Sequence, residues 1–95
     1  MTSTDMSPDA ESRIVAEATD FLAARNISAT LKEFRLRQEF HRFGWDIRVR
    51  EENGGWIVHA LKPERLEVLI EASTEGNALR IALMQSMQAD DKSNS

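Results

Sequence analysis

The sequence contains no cysteine and no tyrosine, and only two prolines and four glycines among 95 residues. Without thiols there is no disulfide scaffold, no cysteine nucleophile and no thiolate metal site. That pattern suits an intracellular chain, and the expected location is cytoplasmic. No apolar run exceeds four residues, the longest being Phe21 to Ala24 and Ile81 to Met84. A bilayer-spanning helix needs about 20 such residues and the core of a signal peptide about 7 to 15. The opening Met1-Thr2-Ser3-Thr4-Asp5 is acidic where a signal would be basic.

What is present, 41% hydrophobic and 29% charged residues, is the composition of one small folded domain. A chain of this size buries only about two-thirds of its unfolded surface, so a second copy or another partner would supplement its core. The net charge of −4 is unevenly placed: residues 1–30 carry −3, residues 31–50 carry +3 and residues 51–95 carry −4. The central block gathers Lys32, Arg35, Arg37, Arg42, Arg48 and Arg50 with four of the six aromatics, Phe34, Phe40, Phe43 and Trp45.

Residues 1–7 and 89–95 are polar and aperiodic and read as frayed tails, which leaves a single domain over 8–88. Ser7-Pro8 is an N-cap followed by proline at the first helical position, and Ile14, Ala18, Phe21 and Leu22 recur on one helical face. This helix is expected to end near Arg25, with Asn26 in the left-handed capping conformation. Thr30 and Glu33 have capping-box spacing for a second helix ending at Gly44, with Leu36, Phe40 and Phe43 as its stripe. Leu31 and Phe34 fall off that stripe, so Phe34 to Arg37 also fits a strand.

Trp45, Ile47 and Val49 then alternate with Asp46, Arg48 and Arg50, Glu52-Asn53-Gly54-Gly55 forms a turn, and Trp56 to Leu61 resumes strand chemistry. Lys62-Pro63 closes the second strand. Residues 64–72 fit either a third strand, with Leu66, Val68, Ile70 and Ala72 on one face, or a helix opening with Pro63. The strand is preferred because a lone hairpin is barely stable. Ser73 or Thr74 caps a last helix over about 75–88. The expected fold is α+β in the order α-α-β-β-β-α, with helices on one face of a three-stranded antiparallel sheet.

The Gly54-Gly55-Trp56 hairpin, the following strand, Ser73-Thr74 and the helix Ala78-Leu79-Arg80-Ile81-Ala82-Leu83 resemble several small bacterial and phage-type domains of unknown function over about residues 44–88. The resemblance implies the fold and a microbial origin, and no catalytic residues. From residue 31 the element order also resembles double-stranded-RNA-binding domains. That family opens its last helix with a lysine-rich run, and the matching Thr74-Glu75-Gly76-Asn77-Ala78 has only Glu75 as a charged member.

Chemistry is sparse. His41 and His59 lie on different elements, with no metal-ligand spacing to Glu39 or Asp46, and there is no phosphate-cradling glycine loop or nucleophile elbow. The acidic groups Glu51-Glu52, Asp90-Asp91 and the series Glu64, Glu67, Glu71, Glu75 read as turn, tail and solvated face. The chain is therefore expected not to be an enzyme and to use no metal or cofactor. On the last helix Leu79, Ala82 and Leu83 define one apolar side while Ile81, Met84 and Met87 occupy the opposite one. The second side packs either internally or on a partner. The leading expectation is a protein-binding module, self-associating as a homodimer through Ile81, Met84 and Met87 or through the arginine-bearing sheet face. The alternative is nucleic-acid binding through Arg35, Arg42, Arg48 and Arg50, against which the acidic total stands.

Overall fold

The computed structural model of the chain describes residues 8–28, 31–63 and 66–93. Its elements are α1 (Pro8–Ala23), α2 (Glu33–Arg42), β1 (Asp46–Glu52), β2 (Gly55–Lys62), β3 (Leu66–Ala72) and α3 (Glu75–Ser93), the expected α-α-β-β-β-α order. The segment 66–72 is a strand. Ser7, Thr30, Glu64 and the expected tail over 1–7 lie outside the described residues.

Two helix ends share one device. After α1, Asn26 adopts φ 64°, its N–H donates to the Ala23 carbonyl and the Ile27 N–H donates to the Leu22 carbonyl, which is a Schellman motif. After α2, Gly44 adopts φ 83°, its N–H donates to His41 O and the Trp45 N–H to Phe40 O. The second motif carries the chain from Phe40 to Trp45, both fully buried, so the helix stop also seeds the core.

The start of α2 departs from the capping-box expectation. Lys32 is the N-cap, in extended conformation and without a side-chain capping bond. Leu31 stays outside the helix as a half-buried packing residue, and its carbonyl accepts a hydrogen bond from Arg80 on α3. Leu36 and Phe40 face the core, whereas Phe34 is 57% exposed.

The sheet is antiparallel in the order β1-β2-β3. Asn53 and Gly54, both at positive φ, form the two-residue turn between β1 and β2, which matches the twist of a hairpin. Register puts Ile47, Val49, Trp56, Val58, Ala60, Val68, Ile70 and Ala72 on one face, and α3 covers it across β2 and β3. Helices α1 and α2 pack on α3 in turn. Thr74 caps α3, its Oγ1 accepting the Asn77 N–H at 3.1 Å.

Two expectations are corrected here. Residues 89–93 are not a tail: α3 runs on to Ser93, held by an ion pair between Asp90 and Lys62 of β2. Ile81 and Met84 are 0% and 3% exposed, and Met87 packs partly buried against the core. The doubly apolar helix is covered within the chain, by the sheet on one side and by α1 and α2 on the others, so Ile81 and Met84 are not available to a partner. Among the described residues no helix is long and apolar enough to cross a membrane.

Candidate functional site

With the helices gathered on one side, the other face of the sheet is left open. Its residues follow from the register in three cross-strand rows: Asp46, Leu61 and Glu67; Arg48, His59 and Leu69; Arg50, Ile57 and Glu71. An open antiparallel face is ordinarily polar. Here Ile57 and Leu61 are half-buried and Leu69 is 66% exposed, one of two large apolar side chains so placed among the described residues. Arg48, Arg50, Ile57, His59 and Leu69 line a hollow of about 160 Å³ on this face.

The charges are ordered across the strands. β1 contributes Asp46, Arg48 and Arg50, the central strand contributes Ile57, His59 and Leu61, and β3 contributes Glu67 and Glu71 flanking Leu69. His59 Nε2 lies 2.6 Å from Glu67 Oε2, and Arg50 Nε lies 3.3 Å from Glu52 Oε2 with both side chains well exposed. Pairs that open to water contribute at most about 1 kcal/mol, so they re-partner at little cost.

The four arginines of the nucleic-acid reading do not converge. Arg48 and Arg50 stand on the open sheet face, while Arg35 and Arg42 belong to α2 in the helical layer. Arg42 pairs with Glu39 and lies 5.6 Å from the Phe43 ring centroid, and Arg35 lies over the exposed Phe34 ring. Arg37 ties α2 to the start of α3 through Glu75. Among the described residues the open face carries no phenylalanine or tryptophan, both tryptophans turning to the helical side, and its ring is the His59 imidazole, which is engaged by Glu67. His41 is exposed on α2, away from His59.

Two buried polar features lie on the helical side. Glu11 of α1 accepts hydrogen bonds from the Ser73 N–H, the Ser73 hydroxyl and the Asn77 side-chain amide. Burial alone raises its pKa, and these three bonds more than reverse that effect, leaving the carboxyl below the usual glutamate value. The arrangement places a carboxylate at the N-terminus of α3, where the helix dipole also favours it. Separately, Lys62 lies over the Trp45 ring, 5.6 Å from its centroid, and bonds to Asp90. Both are internal fastenings. A depression of about 620 Å³ between β3 and the last turns of α3 is lined by mixed groups, among them Glu67, Gln85, Gln88 and Asp91.

The residues that define the open face, Ile57, Leu61 and Leu69, were not singled out by sequence reasoning. Their signal was present, because Leu69 sits between Glu67 and Glu71 in the register that puts Val68 and Ile70 inside. Comparison with protein-family models, with curated proteins and with solved structures found no match for the chain.

Proposed function

We propose that this chain is a non-enzymatic interaction module that docks a protein on the open face of its sheet. One observation carries the reading: the exposed Leu69 of β3, with the half-buried Ile57 and Leu61 on the adjoining strand, lies among the charges of Arg48, Arg50, Glu67 and Glu71. Aliphatic centres rimmed by charge are the composition of protein interfaces, and burying Leu69 alone against a partner is worth about 1.5–3 kcal/mol. The ionisable groups of the face fit binding, since His59 and Glu67 hold each other with both side chains partly open to solvent.

Nucleic acid fits the face less well. Only two of the four arginines lie on it, and the one ring described there, the His59 imidazole, is already engaged by the Glu67 carboxylate.

A photoreactive side chain at position 69, with Ser12 on the exposed side of α1 as the control position, tests the proposal in extracts of the cells that make the chain. The expected result is a protein adduct from position 69 that excess unlabelled chain suppresses and excess Leu69→Asp chain does not. Equal labelling from positions 69 and 12, or equal suppression by both competitors, overturns it.

A further inference from the structure

We infer that β3 receives an added strand from the partner: an extended segment, antiparallel to the outer edge of β3, with basic side chains on either side of an aliphatic one. The inference rests on the reading of Leu69 as part of a docking face and states how the partner engages it.

The sheet order leaves β3 at an edge, and the hairpin fixes which of its backbone groups are open. Asn53 and Gly54 form a two-residue turn, so the flanking Glu52 and Gly55 bond to each other across β1 and β2. Bonding and non-bonding pairs then alternate along the antiparallel ladder. Trp56, Val58, Ala60 and Lys62 therefore turn their backbone groups to β3, where they meet Ala72, Ile70, Val68 and Leu66. Glu67, Leu69 and Glu71 point theirs outward, and among the described residues no hydrogen bond from another segment reaches their backbone.

Space for the added strand lies alongside. The depression of about 620 Å³ is touched by both Glu67 and Val68, whose side chains turn to opposite faces of the sheet, so it follows the outer edge of the strand. Gln85, Gln88 and Ala89 of α3 form its other wall. An open edge beside a groove takes up a peptide through main-chain bonds, and alternate side chains decide which peptide.

On the open face the edge presents Glu67, Leu69 and Glu71, all exposed, to the residues directly opposite. Opposite charges facing each other across strands are favourable and like charges unfavourable, which selects base, aliphatic, base in the added strand. Asp91 adds to the acidic rim of the groove, and Lys92 is the one cation lining it among the described residues. His59 occupies Oε2 of Glu67, which leaves Oε1 for the incoming base. The same glutamates discriminate against β3 of a second copy: paired antiparallel about Leu69, Glu67 of each chain would meet Glu71 of the other.

The probe is a capped heptapeptide that alternates threonine with lysine, valine and lysine, so that its lysines face Glu67 and Glu71 and its valine faces Leu69. It is titrated into the isotope-labelled full-length chain and followed by amide NMR. Saturable binding is expected, with slowed exchange of the Glu67, Leu69 and Glu71 amides. Replacing both lysines by glutamate weakens binding by at least about tenfold. N-methylation of the valine, whose N–H faces β3, does the same, while N-methylation of a neighbouring threonine, whose N–H faces away, changes binding by less than about twofold. Glu71→Lys, its fold verified by circular dichroism, narrows or reverses the preference between the two peptides. Absence of binding at millimolar peptide, equal binding of both charge forms, equal effects of the two N-methyl groups, or protection confined to other strands overturns the inference. Self-association that protects the same three amides without peptide overturns it too. A chain that fails to bind the peptide yet gives the specific adduct from position 69 loses strand addition and keeps the docking face, whereas loss of both signals removes both.

Discussion

Lys62, at the end of β2, and Asp90, in the last turns of α3, meet at 2.5 Å although 28 residues separate them. Both side chains are mostly buried, and the lysine also lies above the Trp45 ring. The pair binds the far end of the longest helix to the sheet. Asp90→Asn is therefore expected to cost about 1–2 kcal/mol and to speed amide exchange after about residue 88 ahead of the rest of α3. A double-mutant cycle with Lys62→Met checks that the loss belongs to this pair; exchange that is unchanged over 88–93 counts against the pair as the anchor.

Glu11 sets the acid response of the fold. Its pKa is lowered in the folded chain, so the native state binds the proton less readily than the unfolded one does. The stabilisation is therefore fully present above the unfolded carboxyl pKa of about 4.3 and is lost as pH falls through the lower folded value. Urea titrations of wild type and Glu11→Gln should differ by a constant amount, about 1–2 kcal/mol, between neutrality and pH of about 5. Below that the two curves should approach each other. A difference that persists unchanged to pH of about 3 would show that the charge of Glu11 is not what matters.

The extent to which the fold is legible in the sequence follows from the range of the interactions. Helix stops at Asn26 and Gly44 and the Asn53-Gly54 turn are local backbone requirements, visible in the residues themselves. The period-two pattern around Ile47 and Val49 and around Val68 and Ile70 shows which strand faces turn inward. What covers each apolar side is not local. The side of α3 bearing Ile81 and Met84 reads equally well as core or interface until α1 and α2 are seen to lie on it. The same packing moves the surface question to Leu69, and the reach of Lys62 to Asp90 extends α3 past its expected end at residue 88.

Asn26 offers a backbone test. At φ 64° asparagine is tolerated through its short polar side chain, whereas a residue with an ordinary Cβ meets a cost of roughly 1–2 kcal/mol. Asn26→Ala should lower stability by about that amount, and Asn26→Gly should change it by less than about 0.5 kcal/mol. Thermal unfolding of the three chains checks the order, and equal losses in alanine and glycine variants would point to the side chain instead of the backbone.

Ile81 and Leu69 should separate a residue of the core from a residue of the open face. Ile81 is fully buried between α3 and its covering elements, so Ile81→Ala leaves a cavity and is expected to cost about 2–5 kcal/mol. Leu69 is 66% exposed, and a side chain left in water contributes little that truncation can remove, so Leu69→Ala should shift the stability of a dilute monomer by less than about 0.5 kcal/mol. The same change removes aliphatic area from the docking face. Urea unfolding distinguishes the effects: Ile81→Ala lowers the midpoint, while Leu69→Ala leaves it close to that of wild type. A Leu69→Ala midpoint that falls as far as that of Ile81→Ala would place Leu69 in the fold of the single chain.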